Sequence, residues 1–480
     1  MSEKIKAVGK LAFISLISWL IPFFVHAQTL PLDETTVKNL SLLQNLEIQK
    51  ALEEQKKTKT IVGEAKSIYD TVFSSEINYT RDKFQQPSVV FGNNNHNFNY
   101  NASVSQNTPL GTEITASFLN QRNRTNSSFT TINPSYNTIG QIDLRQPMAK
   151  NFFGFATRKN IALAKKQAES LQASTQAQIQ VALYKNLVDY WNYYWAFHNA
   201  SFEKKGSQKA LELQKSNFKK NELGLANKAD VYLFEANYYT RDTLSLNAQN
   251  LLITSQQILQ QNLALDKNRT LELSQTSIPQ KKFSSLDEAL NTAFEKRPDY
   301  QQLKKEIEVH KLKVSTNKNA LWPEMDLVGT YALNGLDNTY GNALNNIENE
   351  HRQWKVGMEF SFPLQNRKAR NALSQSKIDQ TKALYALKEK ELEIVRQVRE
   401  TYLQLKNLIL EQNQAHKARL AQTLRLKEEE LRFEQGRTSS DLLIRAQSDL
   451  IEAQKLELKS QVDRHMAELT LQLAQGTILE

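Results

Sequence analysis

From Arg367 to Gln435 the chain contains neither proline nor glycine, and from Arg158 to Glu222 the one residue of either kind is Gly206. Stretches this long without a backbone breaker leave room for long helices and little else. At ~1.5 Å rise per residue, each could approach ~100 Å. Apolar residues inside them recur at helical spacing: Leu183, Leu187, Tyr190, Tyr194 and Phe197 in the first, Val395, Val398, Tyr402, Leu405 and Ile409 in the second. These are seams of the coiled-coil kind. Each long helix then meets a glycine and turns into a second helical run, Gly224 before Lys228 to Leu265 and Gly436 before Ser440 to about Ala474. Two αα-hairpins are expected. Composition agrees, since 480 residues carry only 14 Gly and 10 Pro, too few for a fold of many short strands and tight turns.

The segments that flank the hairpins have a different period. In Arg352 to Phe362, Trp354, Val356, Met358, Phe360 and Phe362 alternate with Lys355, Gly357, Glu359 and Ser361. A period of two predicts a strand with one greasy and one wet face. Weaker alternations run through Pro323 to Leu333, Ser74 to Phe84 and Ser135 to Gln146, all near the ~9–12 residues that cross a bilayer at a tilt. Two more strand-like pieces, Asn97 to Gln106 and Thr112 to Arg122, flank an Asn-Thr-Pro-Leu-Gly turn. The sequence leaves open whether this hairpin, residues 97–122, enters the membrane or decorates its rim.

The N-terminus sets the compartment. Lys4, Lys6 and Lys10 precede an apolar run from Leu11 to Val25, closing on Val25-His26-Ala27 before Gln28, the pattern of a secretory signal peptide over residues 1–27. No later segment has the ~20 apolar residues of a membrane-spanning helix, so a mature chain that crosses lipid must do so with strands. Zero cysteines exclude disulfides, thiolate metal sites and a cysteine nucleophile. The formal charge of +10 is dispersed among Glu and Asp along helical stretches, which reads as solvated faces and not as a nucleic-acid surface.

The elements come round twice: helix, strand, polar loop, strand, proline (Pro147 or Pro363), long helix, glycine, return helix. Gly436 follows Gly224 by 212 residues and Pro363 follows Pro147 by 216, consistent with two related halves. The first spans 28–265 (strands 74–146, hairpin 155–265), a link covers 266–283, and the second spans 284–480 (strands 323–362, hairpin 367–475). Four membrane-length strands per chain, or six with the uncertain hairpin, cannot close a barrel, because an open edge in hydrocarbon leaves backbone groups unpaired. Several chains would have to share one barrel. The fold class expected is thus mixed but mainly α: long helical hairpins building a tunnel, continued by antiparallel strands of an oligomeric transmembrane β-barrel.

That combination resembles the TolC-type outer-membrane efflux and secretion channels (outer membrane efflux proteins) over essentially the whole mature chain. The resemblance is carried by residues 221–231 (NELGLANKADV) and 432–447 (RFEQGRTSSDLLIRAQ), by Leu144-Arg145-Gln146-Pro147 and Phe360-Ser361-Phe362-Pro363-Leu364 where strand meets long helix, and by Leu286-Asp287-Glu288-Ala289-Leu290. It implies a homotrimer with a twelve-stranded barrel in the Gram-negative outer membrane, a periplasmic helical tunnel, and an equatorial belt made by the link and terminal segments. It also implies Sec export and, as partners, a periplasmic adaptor and an inner-membrane pump or ABC transporter. The work implied is that of a passive exit duct in a tripartite efflux or type I secretion system. In the family, adaptors meet the hairpin tips, here Gly224, Leu225, Gly436 and Arg437. Trp354, Val356, Met358 and Phe360 are expected to face lipid.

The periplasmic gate is expected around Asp230, Phe433, Thr438, Asp441, Leu442 and Arg445. Well-known members carry acids six and nine positions after the second-half glycine, where this chain has Leu442 and Arg445, the acid having moved to Asp441. Asp230 matches the first-half acid, but Phe433 and Thr438 replace its usual tyrosine and arginine partners. A constriction closed by Leu442 and edged by Arg445 is expected, with weak cation or even anion preference unless Arg445 pairs with Asp441 or Asp230. No nucleotide loop, zinc motif or nucleophile elbow occurs, so neither catalysis, cofactor nor metal is expected. His310, His416 and His465 and the Trp191-Asn192-Tyr193-Tyr194-Trp195 cluster read as packing or surface residues. Two other readings, a secreted coiled-coil scaffold and a periplasmic adaptor, leave the alternation around Trp354 or the doubled hairpin unexplained. Cargo and pump type are not written in the sequence.

Overall fold

The structure is a computed structural model that describes residues 30–480 other than 89, 91, 225, 267–268, 275–276, 280–284 and 349. The expected signal peptide, Leu225 and parts of the 266–283 link lie outside the described residues. In chain order the elements are β1 (Leu30–Leu32), α1 (Glu34–Gln44), α2 (Leu46–Lys66), β2 (Val72–Asp82), β3 (Asn95–Asn107), β4 (Glu113–Thr125), β5 (Ser135–Pro147), α3 (Phe155–Glu222) and α4 (Lys228–Asn262). There follow β6 (Leu271–Leu273), α5 (Leu286–Lys296), α6 (Pro298–Asn319), β7 (Glu324–Asp337), the short α7 (Tyr340–Asn345), β8 (Arg352–Ser361), α8 (Arg367–Glu434) and α9 (Ser440–Gln475).

The two breaker-poor stretches are α3 and α8, each a single helix of 68 residues and therefore ~100 Å long. Helices of that length gain little from propensity alone and are held by what packs along them. Near the sheet, α2 and α6 lie beside α3, and α6 also touches α8; towards the far end, α4 packs on α3 and α9 on α8. Gly206, the one glycine inside α3, stands opposite Ile451 of α9, where an added Cβ would come within 2.7 Å of the isoleucine Cδ1.

The apolar core sits where these half-length partners meet. Leu183, Leu187, Tyr190, Trp191, Tyr193 and Tyr194 of α3 are buried against Leu32, Val37, Ile48, Leu259, Leu263, Leu271, Val462, Leu469 and Ile478. The aromatic cluster of the sequence is thus a packing centre, with Trp191 fully buried. Beside it, β1 and β6 pair in parallel, Leu30 with Leu271. A second cluster joins Ala289, Ala293 and Tyr300 to Ile394, Val398 and Leu405 of α8 and to Ala467, Leu471 and Ala474 of α9. The α8 seam is therefore Ile394, Val398, Thr401 and Leu405, while the expected Val395, Tyr402 and Ile409 are half-buried. Neighbours on two adjoining sides rotate the buried stripe part of a turn, which a single heptad reading cannot foresee. Phe197, at the end of the expected α3 seam, is 40% exposed.

Above the helices, six strands form one antiparallel sheet in the order β2-β3-β4-β5-β7-β8. Of the two possibilities the sequence left open, six strands is the one found: Asn95–Asn107 and Glu113–Thr125 are full members between β2 and β5. Strands β2 and β8 each keep one unpaired edge among the described residues.

Candidate functional site

Strand register sorts every side chain of the sheet onto one of two faces. Residues directly opposite in an antiparallel pair share a face, so Trp354, Val356, Met358 and Phe360 of β8 line up with Tyr331, Gly329, Leu327 and Met325 of β7. Carried across, the same face holds Ile142 and Leu144 of β5, Ile114, Ala116 and Phe118 of β4, Ala102 and Val104 of β3, and Phe73, Ile77 and Tyr79 of β2. Trp354, Val356, Met358 and Phe360 are 64–72% exposed, and Phe73, Ile77 and Tyr79 on the opposite edge strand are 61–71% exposed. An exposed apolar band this wide is not what a water-surrounded monomer presents.

The other face is polar and internally bonded. Arg145 of β5 donates from Nε to Asp326 of β7 at 2.8 Å, and its Nη2 lies 3.1 Å from Glu359 of β8, so three strands are tied by one guanidinium. Thr330 donates to Asp143 at 2.7 Å, Asn334 to Asn137 at 3.3 Å, and Lys150 to Glu324 at 2.6 Å.

At the opposite end of the molecule the two hairpins turn. Gly224 has φ +74° and Gly436 φ +69°, the left-handed conformation that ends a helix at low cost only in glycine. At the second tip the Arg437 N–H bonds the Arg432 carbonyl at 2.8 Å and the Gly436 N–H the Phe433 carbonyl at 3.1 Å, closing a Schellman motif. Among the described residues, chain neighbours apart, neither glycine has an atom within 4 Å of where a Cβ would stand, so both positions face open space.

The expected gate residues lie around these tips. Phe433 is half-buried, its ring 6.3 Å from that of buried Phe234 on α4 and 5.4 Å from the Lys220 ammonium of α3. Thr438 donates to Glu429 at 2.8 Å, which ties it within its own hairpin. Asp230 is half-buried in the first turn of α4. Asp441 and Arg445 form an ion pair, Oδ2 to Nε 2.8 Å, one helical turn apart. Leu442 is 43% exposed while its neighbour Leu443 is buried, so α9 turns Leu442 away from its own packed side.

Sequence reading missed the groups that join distant segments, because nothing in a lone Glu or His says what folds onto it. Glu203 of α3, 2% exposed, receives Lys455 of α9 at 2.8 Å and stands 3.7 Å from Arg241 of α4, which locks the two hairpins together. His465 of α9 shares Glu34 of α1 with Trp191 of α3: its Nε2 is 2.6 Å and the indole N–H 3.1 Å from Glu34 Oε2. Burial would push the His465 pKa down, but the Glu34 bond and the nearby Glu468, 3.4 Å from Nδ1 without hydrogen-bond alignment, raise it to about 9. The imidazole is therefore a buried cation that fastens the N-terminal segment to the waist. His416 pairs with Glu457 at 2.6 Å on the surface.

The molecule is thus a six-stranded sheet, greasy on one face and wet on the other, standing on helices ~100 Å long. Residues 289–477 match the family Outer membrane efflux protein. That match covers less than half of the chain, and the likeness over the rest is one of fold to solved channel structures. Among solved structures, the CmeC outer membrane channel of Campylobacter jejuni is 14% identical, covering 93% of this chain and 86% of that one with a TM-score of 0.69. VceC of Vibrio cholerae is 13% identical over 93% and 97% of the two chains with a TM-score of 0.67. The open state of the Neisseria gonorrhoeae MtrE channel is 14% identical over 93% and 89%, with a TM-score of 0.66. No curated protein matches the chain in sequence.

Proposed function

We propose that the chain is the outer-membrane duct of a tripartite efflux or type I secretion system, working as a homotrimer that passes substrates from an inner-membrane pump to the outside without doing chemistry on them. The observation that carries this reading is the open sheet: its apolar face needs lipid, its polar face needs water, and its two free edges need strands that the described residues do not supply. Copies of the same chain supply those edges by symmetry, the β8 edge of one to the β2 edge of the next. Trp354, Val356, Met358 and Phe360 then face lipid, and the similar lengths of the paired elements favour two related halves.

On the same reading the tips at Gly224, Leu225, Gly436 and Arg437 receive a periplasmic adaptor. The constriction lies at Leu442, and the Asp441–Arg445 pair, the alternative the sequence left open, leaves the ring with little net charge. The test is fractionation: the protein should be found in outer membranes as an SDS-resistant oligomer that collapses to 55.1 kDa or slightly less on boiling. A chain that stays monomeric in the periplasm would end this reading and revive the scaffold or adaptor.

A further inference from the structure

The β3–β4 hairpin is more than a decoration. It lies between β2 and β5, fully paired to both, and its 13-residue strands match β5 in length. Over its inner half both faces of the sheet continue through it, while nearer the outer rim the apolar side also carries Asn120 and Arg122 of β4, and Tyr100 of β3, whose ring lies 5.7 Å from that of Tyr340 of α7. Ala102, Val104, Ile114, Ala116 and Phe118 extend the apolar face, while Asn99, Asn101, Ser103, Thr115, Ser117 and Gln121 extend the polar one. Slipping the hairpin by one residue would invert both faces, so the register is strongly specified.

The hairpin is also anchored at each end. Its inner turn sits on the start of the first long helix: a Cβ on Gly111 would come within 2.7 Å of the Gly154 nitrogen, one on Gly154 within 2.4 Å of the Pro109 carbonyl, and both glycines have φ above +70°. Thr112 hydrogen-bonds Gln146 there, and Gln146 Nε2 reaches the Leu110 carbonyl at 3.3 Å. At the outer end, Asn126 Oδ1 accepts from the backbone of Asn93 and Asn94 at 2.9 and 3.0 Å, joining the β2–β3 and β4–β5 loops. The hairpin therefore runs from the strand–helix junction to the outer rim, the full height of β2 and β5.

Resting on the proposed trimeric channel, we propose that β3 and β4 are wall strands, so that six strands from each of three copies close an eighteen-stranded barrel in place of the twelve implied by the resemblance. Barrel diameter grows nearly in proportion to strand number, so the mouth is roughly one and a half times as wide and about twice the cross-section. The helical duct below keeps its two long helices per copy. The extra width is thus confined to the outer membrane, and its added lining is carboxamide and hydroxyl, suited to bulky polar cargo leaving the duct.

The absence of native cysteine makes the test clean. Ala102→Cys and Ala116→Cys report the apolar face, Ser103→Cys and Ser117→Cys the polar one. In the native oligomer the serine-site thiols should react with a membrane-impermeant maleimide, and the alanine-site thiols should be at least tenfold slower with it but open to a lipid-soluble maleimide. An SDS-resistant oligomer in which all four react equally with the impermeant reagent overturns the proposal while leaving the channel reading intact. A strand count on the purified oligomer by electron cryo-microscopy decides independently: eighteen supports it, and twelve with residues 95–125 outside the wall ends it. Loss of the oligomer from outer membranes in the unsubstituted protein would end both readings, and the gel separates that case from the others.

Discussion

His465 shows how one residue can be worth more than its sequence context suggests. Its folded pKa of about 9 lies above the ~6.5 of an unfolded histidine, so the stability it contributes is fully present below pH ~6.5 and is lost as pH rises through 9. The full contribution is on the order of 3 kcal/mol. The groups around it are Glu34 on α1, Glu468 and Arg464 on α9, and the Trp191 ring 4.5 Å away on α3; Arg464 is itself held by Glu468 at 3.1 Å. Thermal unfolding of the detergent-solubilised protein should show a lower Tm at pH 10 than at pH 6, and His465→Gln should start lower and lose most of that dependence. A substituted protein whose melting still falls as steeply with pH would assign the effect elsewhere. At the tips, Gly224→Trp and Gly436→Trp meet open space in the monomer but strain a left-handed backbone, at about 1 kcal/mol or a little more each. Oligomer yield should survive that cost while transport is lost, because an indole would then stand where the proposed adaptor docks. Unchanged export in both variants would show that the tips are not the contact.

Among the elements, β8 is the sharpest probe of the membrane wall, because it is an edge strand with four apolar side chains on one face and none on the other. Val356→Lys and Met358→Lys together should cost ~2–4 kcal/mol each if they sit near the bilayer midplane, and SDS-resistant oligomer should fall sharply. The companion changes Gln353→Lys and Ser361→Lys, on the polar face, should be tolerated. Equal assembly of both pairs, read on unboiled gels, would remove β8 from the lipid-facing wall. The long helices follow a different logic: α3 and α8 have no apolar run that could enter lipid, and no described helix is long and apolar enough to cross a membrane. Their stability comes from α2, α4, α6 and α9 laid against them, with the Glu203–Lys455–Arg241 cluster setting how the two hairpins lie together.

For the whole molecule, the proposed gate makes an electrical prediction. With Arg445 paired to Asp441, each copy brings no net charge to the ring at this level, so single channels in a salt gradient should reverse close to zero. Arg445→Asp leaves two negative charges per copy and should shift the reversal potential towards that of a cation-selective pore. A strongly cation-selective unsubstituted channel, or no shift in the variant, defeats a Leu442-centred, charge-neutral constriction.

The sequence by itself determined the long helices, their glycine-ended turns and the alternation of β8, because each is written in local chemistry: absent breakers, a left-handed C-terminal residue, a period of two. It also determined that the strands could not close alone, since that follows from their number and from backbone hydrogen bonding. Local pattern could not decide whether 97–122 joined the sheet. Its strands carry many Asn and Ser, and only pairing with β2 and β5 shows that those residues, Asn120 apart, share one face with Glu76 and Gln141. Nor could it find the His465–Glu34 pair, 431 residues apart, or foresee that Arg445 would take Asp441 one turn back, an alternative it could pose but not choose. Contacts between segments distant in the chain depend on how long helices pack side by side. That packing turned the α8 seam away from its heptad reading and brought the N-terminal segment against the last helix.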